Sequence, residues 1–296
     1  MDHHKLEIHG IGIQVEDHGS KYPVVLFLHF GGANLRMWNP VLPYFIERAR
    51  CITLDLRGHG RSDAPATGYH IDDMAEDVAG VLTELAAAPA HVVGSSIGAE
   101  VGLALAAHHP DLVCSLVADG AFESEYGPYS VRREASLAED EETRTWLEAR
   151  QKSPEKHYAS LEAALKELNA FYKKHEIWNP SVEAMLRYGL TKDESGHIVK
   201  AWRKWAEDQY MEHYFSTRFE DYYRQIACPM ILLTGQARDD DPAALEIMRR
   251  LCALPKQCEL IHAPGAMHPF GWMLEPEPMV RAVLEFHRKL ADQAAP

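Results

Sequence analysis

No run of about 18 apolar residues occurs, so the sequence offers no membrane-spanning helix. Its opening, MDHHKLEIHG, has no apolar stretch, and no secretory signal is expected. Cysteine is scarce: Cys51, Cys114, Cys228, Cys252 and Cys258 are odd in number and contain no C-x-x-C. They read as small thiols in a reducing compartment. No G-x-x-x-x-G-K-[ST] is present, which argues against a phosphate loop. Asp2-His3-His4 and His108-His109 have no second ligand pair at a useful spacing, so no metal site is expected. Positive charge is also short. With 30 Lys and Arg against 44 Asp and Glu, the net charge of −14 disfavours nucleic acid and anionic membrane surfaces. Repeats and low-complexity tracts are absent. The expectation is a cytoplasmic protein without cofactor or metal that meets a small-molecule substrate, as a monomer or homodimer.

What is present is a rhythm. Residues 5–15 read as a hairpin around His9-Gly10. VVLFLH (24–29), CITLDL (51–56), HVVGS (91–95), LVCSLVADG (112–120), MILLTG (230–235) and CELIHAP (258–264) are short apolar runs. Such runs suit strands buried on both faces. Helical patterns lie between them, near 71–87, 97–109, 242–253 and 276–290. Strands alternating with helices predict a mostly parallel sheet covered on both sides.

Residues 122–225 break the alternation. Helical runs at 155–174 and 198–215 dominate, and the block holds 17 of the chain's 27 aromatic residues. A structureless loop of that length is improbable, so a helical insertion is expected. Trp146, Trp178, Trp202, Trp205, Tyr210 and Tyr214 are expected to form its small core. The acidic run 139–142 suits a helix start.

The chemistry centres on AHVVGSSIGAEVGL (90–103). Gly94-Ser95-Ser96-Ile97-Gly98 fits G-x-S-x-G between a strand and a helix. Small residues two positions either side of Ser96 let strand and helix backbones approach, and the serine then projects from the tip. Ser95 lacks that flanking pair. A serine needs a base, and a carboxylate to orient it. His268 lies between the strand at 258–263 and the helix from 276, on the same edge as Ser96. For the acid, Asp239 stands nearest the strand 230–235 and comes first, with Asp240 second. Asp241 before Pro242 reads as a helix N-cap. Asp119, after the strand at 112–118, also lies between Ser96 and His268 in the chain. An oxyanion needs two aimed donors. Ile97 N–H is one, and Gly31 N–H in His29-Phe30-Gly31-Gly32 is the other, with Phe30 as fallback.

LHFGGANLRMW (28–38), DLRGHGRSDAP (55–65), VVGSSIG (92–98), MILLTGQARDDD (230–241) and PGAMH (264–268) together resemble a capped, esterase-like α/β-hydrolase. The resemblance implies an eight-stranded, mostly parallel sheet flanked by helices, with a helical cap inserted after the sixth strand. That gives a core of 1–121 and 226–296 and a cap of 122–225. It also implies Ser96, Asp239 and His268 as triad and Gly31 and Ile97 as oxyanion donors. Two positions depart from the family pattern: Phe30 stands where glycine is usual, and Arg238 where an aspartate is usual. Phe30, Trp38 and Trp272 are placed as substrate neighbours, and Asp55 to Asp63 as scaffold. The expected activity is hydrolysis of small to medium, partly apolar esters or lactones through an acyl-enzyme. C–C bond hydrolysis of a diketone-like substrate on the same triad, or ligand binding with little turnover, are the alternatives.

Overall fold

VVLFL is buried along its whole length, which requires a central strand with both faces covered. In the computed structural model, which describes residues 2–294 except 20, 121–122, 133, 236–240 and 265–266, that is its position. The strands are β1 (Asp2–Ile8), β2 (Ile11–His18), β3 (Val24–Leu28), β4 (Arg50–Leu54), β5 (Ala90–Ser95) and β6 (Val113–Asp119). A short pair, β7 (Leu190–Lys192) and β8 (Ile198–Lys200), follows, and then β9 (Met230–Thr234) and β10 (Cys258–His262). Eight of them form one sheet in the order β1-β2-β4-β3-β5-β6-β9-β10. β1 and β2 pair antiparallel, as do β2 and β4, and the remaining neighbours are parallel.

Strand order reverses at β3, whose neighbours are β4 on one side and β5 on the other. In an open parallel sheet, the crevice at such a reversal lies beyond the carboxyl ends of the strands. The segments after β3 and β5 therefore face each other there.

Helices α1 (Ile71–Glu84), α2 (Ile97–His108), α8 (Pro242–Cys252) and α10 (Pro276–Ala294) cover the sheet, and α9 (Gly271–Leu274) is one short turn before α10. Alternation along β3 sends Leu26 and Leu28 to the core under α1 and α2, and Val25 and Phe27 to the core under α10. Pro242 at the first helical position and Asp241 as N-cap start α8, with Asp241 Oδ1 accepting from Ala243 and Ala244 N–H.

Between β6 and β9 the chain forms α3 (Glu141–Lys152), α4 (Leu161–Lys174), α5 (Pro180–Tyr188), α6 (Lys204–Tyr214) and α7 (Phe219–Tyr223). The acidic run does start a helix: Asp140 caps α3 by accepting Thr143 N–H. Two expectations fail. The 198–215 run is not a single helix, because β-branched Ile198 and Val199 pair with Thr191 and Lys192 across a turn with Gly196 at φ +82°. Nor do the insertion's aromatics form a core of their own. Trp202, Tyr210, Phe219 and Tyr223 join the core under α1 and α2, whereas Tyr158, Leu165, Val182 and Met185 join the other. Trp146 is exposed.

The cysteine expectation also needs correction. Cys252, at the end of α8, and Cys258, at the start of β10, form a disulfide, while Cys51, Cys114 and Cys228 are free thiols. The two bonded residues are six apart, where helix end and strand start bring their Cα atoms to 5.3 Å. Among the described residues, no helix is long and apolar enough to cross a membrane.

The loop from Asp55 to Asp63 is scaffold in a specific sense. Arg57 donates from Nε and Nη2 to both carboxylate oxygens of Asp77 on α1, at 2.6 and 2.7 Å, and from Nη1 to Gly68 C=O. Both side chains are over nine-tenths buried. Removing one partner of such a pair strands a buried charge. Asp77→Ala is expected to lower the unfolding free energy by about 3–5 kcal/mol, measured by urea titration. A joint Arg57→Met and Asp77→Leu variant should lose much less.

Candidate active site

Ser96 sits between β5 and α2 with φ 51° and ψ −121°, a conformation a non-glycine residue holds only at a cost of about 1–3 kcal/mol. Its neighbours explain how the turn closes. A Cβ on Gly94 would collide with the backbone of Gly98, and one on Gly98 with the carbonyl of Leu28. Glycine at both places lets β5, α2 and the end of β3 touch. Ser96 N–H donates to Asp119 C=O at 2.6 Å, which ties the turn to the end of β6.

Gly120 stands beside this turn. A Cβ there would lie 2.9 Å from Ser96 Cα and 3.2 Å from His268 Cε1. Ser96 and His268, 172 positions apart in the chain, therefore flank one glycine. His268 Nδ1 is 2.7 Å from Asp119 Oδ1. Asp119 Oδ2 accepts from Ser95 Oγ at 2.8 Å and from Trp272 Nε1 at 2.7 Å. The carboxylate is 2% exposed, and the His268 side chain is 35% exposed. One carboxylate is thus held from below by two neutral donors and presents its other oxygen to an imidazole at the surface of the crevice.

Asp239 and Asp240 lie outside the described residues, and the carboxylate on His268 Nδ1 is that of Asp119. Asp119, the last residue of β6, is the candidate aspartate that the described residues bring to His268. Ser95, set aside as nucleophile, is fully buried and acts on the acid instead.

Trp38 and Trp272 also need correction. Both are fully buried, with ring centroids 5.1 Å apart, in the core on the α10 side of the sheet. Neither presents a surface to a ligand. Trp272 instead fixes Asp119, a role signalled only by its place four residues after His268. Phe30 is 6% exposed and meets Phe270 edge to face at 5.3 Å.

Gly31 and Ile97 come together as expected: a Cβ on Gly31 would collide with the Ile97 side chain. The first amides of a helix have no acceptor within it, so Ile97 N–H, at the start of α2, points out of the helix. The loop carrying Gly31 is held by histidines. His29 Nε2 accepts Leu56 N–H at 3.0 Å, which leaves Nδ1 as the protonated nitrogen, donating to Phe30 C=O at 2.8 Å. Burial pushes the His29 pKa down to about 4, so the ring is neutral.

Sequence reading missed Glu100. It lies one turn after Ser96 on α2, 4% exposed, and both its oxygens accept from Tyr210 Oη on α6, at 3.0 and 2.8 Å. Burial pushes its pKa up to about 7, opposed by the Tyr210 hydrogen bond and by the charge of His268. No motif marks a glutamate there. The signal is only a lone carboxylate on an otherwise apolar helix.

The fold prefers protonated Glu100. Its folded pKa is about 7 against an ordinary 4.5, so its contribution is full below pH 4.5 and is lost as pH rises through 7. Between those limits stability should fall by about 3 kcal/mol from this group alone. Glu100→Gln keeps an acceptor for Tyr210 and should remove that slope in urea titrations from pH 4.5 to 7.5. An unchanged slope would assign the pH dependence to other groups.

The family model described as alpha/beta hydrolase fold matches residues 23–272. Among curated relatives, 2-(acetamidomethylene)succinate hydrolase of Mesorhizobium japonicum is 40% identical over 114 residues, 38% of this chain and 41% of that protein. The 3-oxoadipate enol-lactonase 2 of Acinetobacter baylyi is 37% identical over 89 residues, 30% of this chain and 33% of that protein. The aligned stretch spans only about two-fifths of the length of the first curated relatives it matches. A solved structure of E-2-(acetamidomethylene)succinate hydrolase aligns over 97% of this chain and 99% of its own, at 27% identity and a TM-score of 0.75. With the eight-stranded sheet, the reversal at β3 and the glycine-flanked serine, the match across most of its length shows that this chain belongs to the alpha/beta hydrolase fold family.

Proposed function

We propose that the chain is a serine hydrolase that cleaves small to medium, partly apolar carboxylic esters or lactones through an acyl-enzyme. The observation that carries this is the Asp119–His268 pair standing beside the strained Ser96 turn. Ser96 Oγ attacks the carbonyl carbon, and its proton passes to His268 Nε2, since Nδ1 is engaged by Asp119. Asp119 holds the tautomer and stabilises the imidazolium. Ile97 and Gly31 N–H receive the oxyanion. Collapse expels the alcohol, which takes the proton from His268. Water, deprotonated by the same nitrogen, then releases the acid and frees Ser96.

Residues 122–225 serve in this reading as the cap over the crevice. Their contacts with the core support it: Asn34 Nδ2 donates to Met185 C=O at 2.9 Å, and Asn179 Nδ2 to Met273 C=O at 2.8 Å. A second substrate class comes from the full-length likeness to E-2-(acetamidomethylene)succinate hydrolase: an N-acyl enamine bearing two carboxylates. The same nucleophile and oxyanion donors would serve an amide carbonyl.

A panel of p-nitrophenyl esters of rising acyl length, run beside 2-(acetamidomethylene)succinate, tests both. Ser96→Ala and Asp119→Asn are expected to lose about 10³–10⁴-fold in kcat, while Asp239→Asn stays close to wild type. Full turnover by Ser96→Ala would sink the reading. A large loss in Asp239→Asn with Asp119→Asn intact would return the acid role to Asp239.

A further inference from the structure

His59 lies outside the Ser96, His268 and Asp119 set, yet it bonds directly to the loop that carries Gly31. His59 Nε2 accepts Gly32 N–H at 3.0 Å. Its Nδ1 donates to Arg57 C=O at 3.0 Å, which settles the tautomer. The ring is fully buried and stacks on Trp202 of the insertion, with centroids 4.0 Å apart and planes at 16°. On its other side it meets His29 edge to face at 4.8 Å.

A Gly-Gly segment is the least suited of all dipeptides to holding a donor still. Gly32 is at φ +78°. An oxyanion donor acts only if it is aimed before the charge develops. Both peptide planes around Gly31 need an external hold. Phe30 C=O, which accepts from Ala33 N–H at 3.0 Å and from His29 Nδ1 at 2.8 Å, fixes the first. A trans peptide then sends Gly31 N–H the opposite way from that carbonyl. The second plane, Gly31–Gly32, is fixed at His59 Nε2. We propose that His59 is a positioning residue for the oxyanion loop, holding the Gly31–Gly32 peptide so that Gly31 N–H meets the reacting carbonyl oxygen, and that Trp202 of the insertion holds His59 in turn.

Burial supports this by pushing the His59 pKa well below its ordinary value, so the nitrogen facing Gly32 stays an acceptor throughout the neutral range. Trp202 also closes over the loop from above. A Cβ on Gly32 would lie 3.8 Å from Trp202 Cδ1, and one on Gly58 would lie 3.2 Å from its Cε3. The insertion and the oxyanion loop are thereby one packed unit.

The proposal rests on the serine hydrolase reading, and the test separates the two. His59→Gln places an amide oxygen near the Nε2 position, whereas His59→Leu fills similar space with no acceptor. On the best p-nitrophenyl ester, His59→Leu is expected to lose about 10- to 100-fold in kcat with KM little changed, below the full cost of deleting a donor. Its affinity for an alkyl boronic acid, which mimics the tetrahedral intermediate, should fall by the same factor. His59→Gln should recover most of both. Amide hydrogen exchange of the folded proteins, read on the peptide containing Gly32, should quicken in His59→Leu and not in His59→Gln. Equal kcat in all three proteins, or equal losses in both variants, would overturn the proposal. A wild type that neither turns over esters nor reacts at Ser96 with a fluorophosphonate would overturn the hydrolase reading instead. The exchange data would then decide alone whether His59 holds the Gly32 amide, and equal exchange in both variants would refute it.

Discussion

The carboxylate of Asp119 and its main-chain carbonyl gather four residues at one point. Its C=O receives Ser96 N–H from the turn after β5, Oδ2 receives Ser95 Oγ and Trp272 Nε1, and Oδ1 faces His268 Nδ1. A buried carboxylate is costly unless its lone pairs are filled. Here two neutral donors fill one oxygen and leave the other to the imidazole of His268. Because Trp272 is fully buried against Trp38, the Asp119 carboxylate is set by core packing rather than by a surface loop. The location of His268 follows from Asp119, and the relation of His268 to Ser96 follows from the Ser96 N–H bond at 2.6 Å.

Burial is used in opposite senses within a short distance. It drives the protons off His29 and His59, so each ring offers one acceptor nitrogen to a backbone N–H, Leu56 and Gly32 respectively. It drives the proton onto Glu100, which accepts from Tyr210 Oη. The two histidines act as neutral crosslinks between loops that would otherwise carry unpaired amides at the sheet edge. Glu100 is different, since its raised pKa lies within the neutral range and the charge of His268 opposes the rise. Asp119 bonds His268, and Glu100 adds to the field around it.

Most of the fold was legible because each signal was local. Continuous apolar runs marked β3, β4, β5, β6 and β9, and the predicted bounds lie close to those observed. The glycine pair around Ser96 was legible for the same reason, since the collisions it avoids lie within one turn of chain and one adjacent strand. The place of Asp119 was not. Asp239 and Asp240 stood ahead of it by their position after β9, while Asp119 closed β6 as an ordinary strand-end residue. What distinguishes it is three side-chain partners 24, 149 and 153 positions away, and no spacing rule holds those together. Trp272 misled for a related reason: proximity to His268 in sequence suggested the pocket, but the indole turns into the core. The disulfide was hidden because a separation of six from helix end to strand start leaves no pattern beyond two cysteines.

The insertion follows from the same physics of unfilled surfaces. Left alone, the carboxyl edge of the sheet would expose the apolar tops of both cores and several loop amides. The insertion divides its apolar residues between those two cores, and its polar atoms reach back to the loops: Arg61 Nη1 to Leu190 C=O, Tyr188 Oη to Asp55 Oδ2, Tyr210 Oη to Glu100. Such a segment cannot change freely to suit a new ligand. Residues that face away from the core, such as Trp146, can vary without touching the loops beneath. Trp202 cannot, because the ring under it is the acceptor for Gly32. Changes in substrate preference are therefore confined to the parts of the insertion that do not also hold the loops beneath it.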